Sequence, residues 1–179
     1  HGGEIKDGFG AAAVPIYQSS TFAFESAEHG AQCFAGECDG YIYTRIGNPT
    51  IDALERQIAL LENGFRAIAV SSGMAAVNVI YQGILGSGDH IVSTEAVYGP
   101  SRAILENHYP KYGVESTFVD TTNLEKIEAA FRPNTKLLFI ETPANPTMDI
   151  ADIKACAEIA HKHGALLAVD NTFCSPYLQ

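Results

Sequence analysis

Lys136-Leu-Leu-Phe-Ile-Glu-Thr-Pro-Ala-Asn-Pro-Thr147 and Ala165-Leu-Leu-Ala-Val-Asp-Asn-Thr172 each open on a short apolar run that breaks abruptly into polar residues. Such runs suit strands buried on both faces of a parallel sheet, and the break marks the sheet edge where these folds keep their ligands. Glu141 and Asn145 arrive at that edge from the first run, and Asp170 from the second. An acid that directly follows Leu-Leu-Ala-Val is costly to desolvate unless a cation or a hydrogen-bond donor meets it. Asp170 is therefore expected to face something positive; the plainer alternative is that it caps the next turn.

Working outward, the same strand-then-helix rhythm extends back to Asn48. Asn48 and Pro49 predict a helix start, Ile51, Leu54, Ile58 and Leu61 form its apolar stripe, and Gly64 is expected to stop it. Strands are predicted at 66–70, 89–94, 114–119, 137–140 and 166–169. Helices are predicted from Ser71-Ser-Gly-Met74 to about Leu85, and over 100–108, 123–131 and 151–163. This alternation defines an α/β fold, a mostly parallel sheet flanked by helices on both faces. Residues 1 to about 45 lack a steady period and are punctuated by Gly2, Gly3, Gly8, Gly10 and Pro15. They read as an arm that packs on another surface, with a short helix from Ser26 to Phe34. The alternation stops at Gln179, where a further element is expected, so the chain reads as cut short.

The 179 residues suffice for a sizeable core. A formal net charge of -10 argues against nucleic acid and anionic membrane as partners, and no apolar run has the length of a membrane span. Cys33, Cys38, Cys156 and Cys174 show neither CxxC spacing nor a dense disulfide pattern and read as reduced thiols of a cytoplasmic protein. Cys33 and Cys38 are widely spaced and the histidines scattered, so no metal site is expected.

Three pieces carry chemistry beside the strand ends. Ser71-Ser-Gly-Met74 sits between a predicted strand and a helix start, where backbone N–H groups and the helix dipole favour a phosphate. Gly73 lets backbone approach a ligand closely. The GxGxxG and Walker-lysine patterns are absent, so a small cofactor with a single phosphate fits better than a dinucleotide or nucleotide. Tyr43 and Arg45, two apart, share one face if the chain is extended there and can grip the same phosphate; a surface arginine beside a packing tyrosine is the plainer alternative. Tyr98 follows another strand end and offers a flat ring for stacking and a phenol for proton transfer, or else is simply a half-buried loop aromatic.

Together, Tyr43-Thr-Arg45 with Asn48-Pro-Thr50, Ser72-Gly-Met74, Ala96-Val-Tyr-Gly99, Glu141-Thr-Pro-Ala-Asn-Pro146 and Val169-Asp-Asn-Thr172 make the chain resemble the pyridoxal-phosphate enzymes of cysteine and methionine metabolism. This trans-sulfuration family includes cystathionine synthases and lyases, sulfhydrylases and methionine gamma-lyases. The stretches Phe22 to Glu37 and Asn171 to Gln179 look most like the gamma-lyases.

The resemblance implies a fold type I (aspartate-aminotransferase-like) enzyme with pyridoxal 5'-phosphate as cofactor and gamma-elimination of methionine as its reaction. It divides the chain into an arm, 1–45, reaching a neighbouring subunit, and the first part of the cofactor domain, 46–179. It implies that Asp170 pairs with the pyridine nitrogen and that Tyr98 stacks on the ring and acts as an acid. Ser72, Gly73, Met74 and Thr172 are expected near the cofactor, and Asn145 at its 3-oxygen. Tyr43 and Arg45 would reach the phosphate of a neighbouring subunit in a homo-oligomer, a dimer of dimers, whose substrate is a small sulfur amino acid; Glu141 is expected behind the contact residues.

Two departures stand out. Pro100 occupies a position where gamma-lyases carry cysteine, which bears on substrate preference. Lys6, Lys111, Lys126, Lys136, Lys154 and Lys162 match no Ser-x-Thr-Lys segment of the family, so this chain alone is expected to be inactive. A lysine-free binding module and a flavodoxin-like domain are the readings from other classes; the latter gives no reason for Tyr43, Arg45, Asn145 and Asp170 to occur together.

Overall fold

The computed structural model describes residues 8–178. Of the residues named above, Gly2, Gly3, Lys6 and Gln179 lie outside them. The chain forms two compact units, one reaching Ala69 and one starting at Val70.

In the first unit, α1 (Ala27–Ala35) begins at Ser26, whose side chain accepts from His29 N as the sequence predicts. α2 (Pro49–Leu61) is capped by Asn48, with Pro49 in its first turn. Asn48 is buried, and its amide also donates to Tyr17 O at 2.9 Å and Thr44 Oγ1 at 3.0 Å. Thr50 accepts from Tyr17 N and donates to Pro15 O, each at 2.9 Å. Asn48-Pro-Thr50 thus both starts a helix and pins the residues around Tyr17, and Thr21 pairs with Tyr43 in an antiparallel bridge. The 16–24 stretch, expected to dock on another surface, finds partners inside its own unit.

Two features of α2 differ from expectation. The left-handed residue after it is Asn63 (φ 49°), not Gly64, whose N–H instead closes on Ala59 O at 2.8 Å. The Ile51, Leu54, Ile58 and Leu61 stripe faces outward while Pro49 and Ala53 are buried; apolar periodicity defines a face without defining what covers it. The strand predicted at 66–70 does not form. A strand needs a neighbouring ladder, but Ile68 and Val70 are exposed, and the Ala69 N–H goes to the Glu55 carboxylate at 2.7 Å.

The second unit is a sheet of β1 (His90–Thr94), β2 (Glu115–Val119), β3 (Thr135–Glu141) and β4 (Leu166–Asp170), ordered β2-β1-β3-β4 with every pairing parallel. Consecutive strand residues point to opposite faces. Ile91, Leu137 and Phe139 join Val77, Tyr81 and Leu105 in one core, while Val92, Leu138 and Ile140 join Ile127, Cys156 and Ala160 in the other. The first core is covered by α3 (Gly73–Ile84) and α4 (Gly99–Asn107), the second by α5 (Leu124–Ala130) and α6 (Ile153–Lys162). Helices on both faces are as expected; the 3-10 turn Tyr109–Tyr112 after α4 is an addition. Among the described residues no helix is long and apolar enough to cross a membrane.

His90 ties three strands together at their amino ends. Its Nδ1 meets Thr135 Oγ1 on β3 and its Nε2 meets Thr117 Oγ1 on β2, both at 2.8 Å. Burial, assisted by the Arg132 guanidinium, pushes its pKa from 6.5 down to about 4. The unfolded chain therefore binds a proton at a pH where the folded one does not. The stability held at neutral pH is lost as pH falls from 6.5 through 4, by on the order of 3 kcal/mol. Urea midpoints measured at pH 7 and pH 4.5 should fall clearly further on acidification for the wild type than for His90→Gln.

Candidate active site

The sheet order reverses around β1. The chain passes from β1 to β2 on one side, then returns to place β3 on the other. Open α/β sheets bind ligands in the crevice outside the carboxyl ends of the strands at such a reversal. Here the segment after β1 carries Tyr98 and the segment after β3 carries Asn145. The Glu141 carboxylate joins them, accepting from Tyr98 N at 2.6 Å and from Asn145 N at 2.9 Å. Glu141 is buried, so both donors offset the desolvation of its charge.

The β3 segment is held at further points. Thr142 N donates to Asp170 O at 3.0 Å, Ala151 N donates to Thr142 Oγ1 at 3.0 Å, and Thr142-Pro143 and Asn145-Pro146 are cis. Glu141 and Asp170 are register partners on β3 and β4. Asp170 is half-buried, and its Oδ1 accepts from both the N–H and the hydroxyl of Thr172, at 3.1 and 2.6 Å. These are the local turn bonds of the plainer alternative, and the positive partner expected of Asp170 is not met among the described residues.

Ser72 caps α3 by accepting from Ala75 N at 3.1 Å. The N–H groups of Gly73 and Met74 are left without protein partners among the described residues, so the helix start presents two donors and its dipole to an anion. Buried Ser101 on α4 contacts the Met74 sulfur at 3.5 Å and links the two helix starts. A cavity of about 490 Å³ brings Ser72, Gly73, Met74, Tyr98, Asn145, Asp170 and Thr172 together. Glu141 also lines it.

Tyr43 and Arg45 belong to the first unit. Tyr43 is in the bridge to Thr21, but the chain does not stay extended to Arg45: Tyr43 O accepts from Ile46 N at 2.8 Å and Gly47 N at 3.1 Å, closing a turn. The pair meets all the same, because the turn folds the Arg45 guanidinium over the Tyr43 ring, 5.3 Å from its centre. Glu141 stands, as expected, behind the contact residues, and its two acceptor bonds reach loops far apart in sequence. The signal available was an acid at the very end of an apolar strand.

Two unpaired helix-start N–H groups suit a phosphate, an aromatic face suits a planar ring, and a carboxylate with one oxygen to spare suits a protonated ring nitrogen. The side-chain amide of Asn145, unpaired among the described residues, suits a ring oxygen. This donor set on an α/β sheet defines the binding half of a phosphorylated-cofactor enzyme, and pyridoxal phosphate fits it. The chain belongs to the Cys/Met metabolism PLP-dependent enzyme family, whose match covers residues 1–179.

It is 52% identical to an L-methionine gamma-lyase of Porphyromonas gingivalis over 99% of this chain and 45% of that protein. It is 47% identical to a cystathionine gamma-lyase of Bacillus subtilis over 100% of this chain and 45% of that one. The structure of a cystathionine gamma-lyase from Lactobacillus plantarum, complexed with L-serine, superposes with a TM-score of 0.88 at 40% identity, covering 99% of this chain and 44% of that one. The chain thus spans about half the length of these relatives.

Glu141→Gln tests the shared carboxylate. An amide has one acceptor oxygen, so one of the two backbone donors is left facing an NH2 group. The full-length protein should lose about 1–3 kcal/mol of stability, read from its urea midpoint, and its affinity for pyridoxal phosphate should weaken by roughly tenfold, as a Tyr98 or Asn145 shift costing about 1.4 kcal/mol would produce. An unchanged midpoint would show that Glu141 does not hold the two segments.

Proposed function

We propose that the full-length protein is a cytoplasmic pyridoxal-phosphate-dependent lyase of sulfur amino acids, with gamma-elimination of methionine to methanethiol, 2-oxobutanoate and ammonia as its reaction. The observation that carries this reading is the convergence of seven expected residues on one cavity at the sheet reversal. The methionine preference rests on the Porphyromonas relative and is the finer part of the proposal. Cystathionine cleavage or gamma-replacement on the same scaffold is the second reading, favoured by the Bacillus relative and by Pro100. The cytoplasmic placement is supported by four cysteines that are all free.

Pyridoxal phosphate, when bound, supplies a conjugated ring that withdraws electrons from the substrate bond being broken. Gly73 and Met74 hold its phosphate through backbone N–H groups at the start of α3, with the Ser72 hydroxyl beside them, while Thr172 works at the ring through Asp170. Asp170 keeps a proton on the ring nitrogen, and Thr172 fixes the carboxylate for that task. Asn145 binds the ring oxygen. The Tyr98 ring would stack on the cofactor face, and its phenol would deliver a proton to the departing sulfur, which leaves as a thiol.

Residues 1–45 act as an arm and 46–179 as the first part of the cofactor domain. In a dimer of dimers, Tyr43 and Arg45 reach the phosphate of the neighbouring subunit, and their stacked side chains arrive there as one unit.

Asp170→Asn in the full-length protein should leave the fold intact, by circular dichroism, and lower turnover roughly 10- to 1,000-fold, the span of one to three pKa units at the partnered nitrogen. Near-normal turnover would remove Asp170 from its role. Arg45→Ala should weaken cofactor retention, and in mixed oligomers the rescued sites should be those facing a wild-type arm. A defect confined to the mutated subunit's own site would refute action in trans.

A further inference from the structure

We propose that Cys33 and Cys38 form a reversible disulfide, a redox-sensitive staple across the turn that ends α1, with a small-molecule disulfide such as oxidised glutathione as its oxidant. The proposal is independent of what the cavity binds. Cys33 lies buried on α1, and Gly36, in the left-handed region at φ 71°, ends the helix and turns the chain back. Gly36 N bonds to Cys33 O at 3.2 Å and Glu37 N to Gln32 O at 2.9 Å. The reversal brings half-buried Cys38 to Cys33 with the sulfurs 3.0 Å apart, about 1 Å beyond a disulfide bond. Gly40 leaves the room this requires, since a Cβ there would stand 2.9 Å from Cys33 Sγ.

His29, one helical turn before Cys33, completes the cluster, with a ring nitrogen within 4.8 Å of both sulfurs. Its Nδ1 accepts from Glu25 N at 3.2 Å, so the neutral ring carries its proton on Nε2. With Nδ1 engaged and Nε2 protonated, the neutral ring has no free lone pair for a metal. Among the described residues no fourth metal donor joins the three.

Cys38, the more exposed thiol, reacts first: its thiolate attacks one sulfur of glutathione disulfide and releases one glutathione thiolate. Cys33 then attacks the Cys38 sulfur of the mixed disulfide and releases the second. The two cysteines lose two protons and two electrons, and the glutathione disulfide is reduced to two thiols. Contact with Cys33 above all, then burial and the acids Asp39 and Glu37, pushes the Cys38 thiol up to about 11. Little of Cys38 is therefore thiolate at neutral pH, and its attack on the oxidant is slow.

The test equilibrates the full-length protein with oxidised glutathione, alkylates free thiols with iodoacetamide after unfolding, and maps the peptides. Cys33 and Cys38 should both lose alkylation through a mutual cross-link that dithiothreitol reverses, while Cys156 and Cys174 remain alkylated. Cys33→Ser should instead trap glutathione on Cys38. Continued alkylation of both residues, or a stable glutathione adduct on Cys38 in the wild type, would overturn the proposal. So would stoichiometric zinc in the purified protein that Cys38→Ser releases.

Discussion

One buried carboxylate sets the geometry of the candidate site. Glu141 ends β3 at the point where the sheet order reverses, and its two oxygens each take a backbone N–H from a different crossover segment. Such charge-assisted bonds are short and strong, and an uncompensated buried charge would be costly. The same pair of bonds that makes the charge tolerable therefore also fixes where Tyr98 and Asn145 begin. Neither residue is placed by its own side chain: the Tyr98 ring is left partly exposed and the Asn145 amide unpaired among the described residues. Backbone anchoring frees both side chains for a ligand.

The two ends of the sheet solve the same electrostatic problem in opposite ways. At the amino ends His90 is held neutral, and its ring nitrogens exchange hydrogen bonds with hydroxyls on both neighbouring strands. At the carboxyl ends carboxylates take hydrogen bonds instead, Glu141 from two backbone donors and Asp170 from Thr172. Between them the strands are apolar on both faces and bury Leu137, Leu138, Phe139 and Ile140 almost completely. Truncating a side chain in such a core costs about 2–5 kcal/mol, so the carboxyl ends rest on a rigid base.

What was legible in the sequence followed from local rules. An apolar run ending in an acid or amide marks a strand end, which located Asn145 and Asp170, and Ser72 and Asn48 announce their helices because a cap bonds within its own first turn. What was illegible depends on partners distant along the chain. The 66–70 run has strand composition, yet its residues find no ladder among the described ones. Tyr43 and Arg45 meet through a turn that their two-residue spacing concealed. The histidines looked scattered, but His29 and Cys33 share a helix face, and a single left-handed glycine returns Cys38 to them.

The chemistry of the cavity divides along a similar line. Each lining residue with a proposed role holds, orients or protonates: N–H groups at a helix start, a carboxylate, an amide, a phenol. No lysine is among the residues that line it, and the lysines of the described residues match no Ser-x-Thr-Lys pattern. A Schiff-base lysine works only when its amine is desolvated and held against the aldehyde it attacks. The roles proposed for the cavity residues are recognition of the cofactor and tuning of its ring. The amine is a separate requirement, and the chain spans 45% of its Porphyromonas relative.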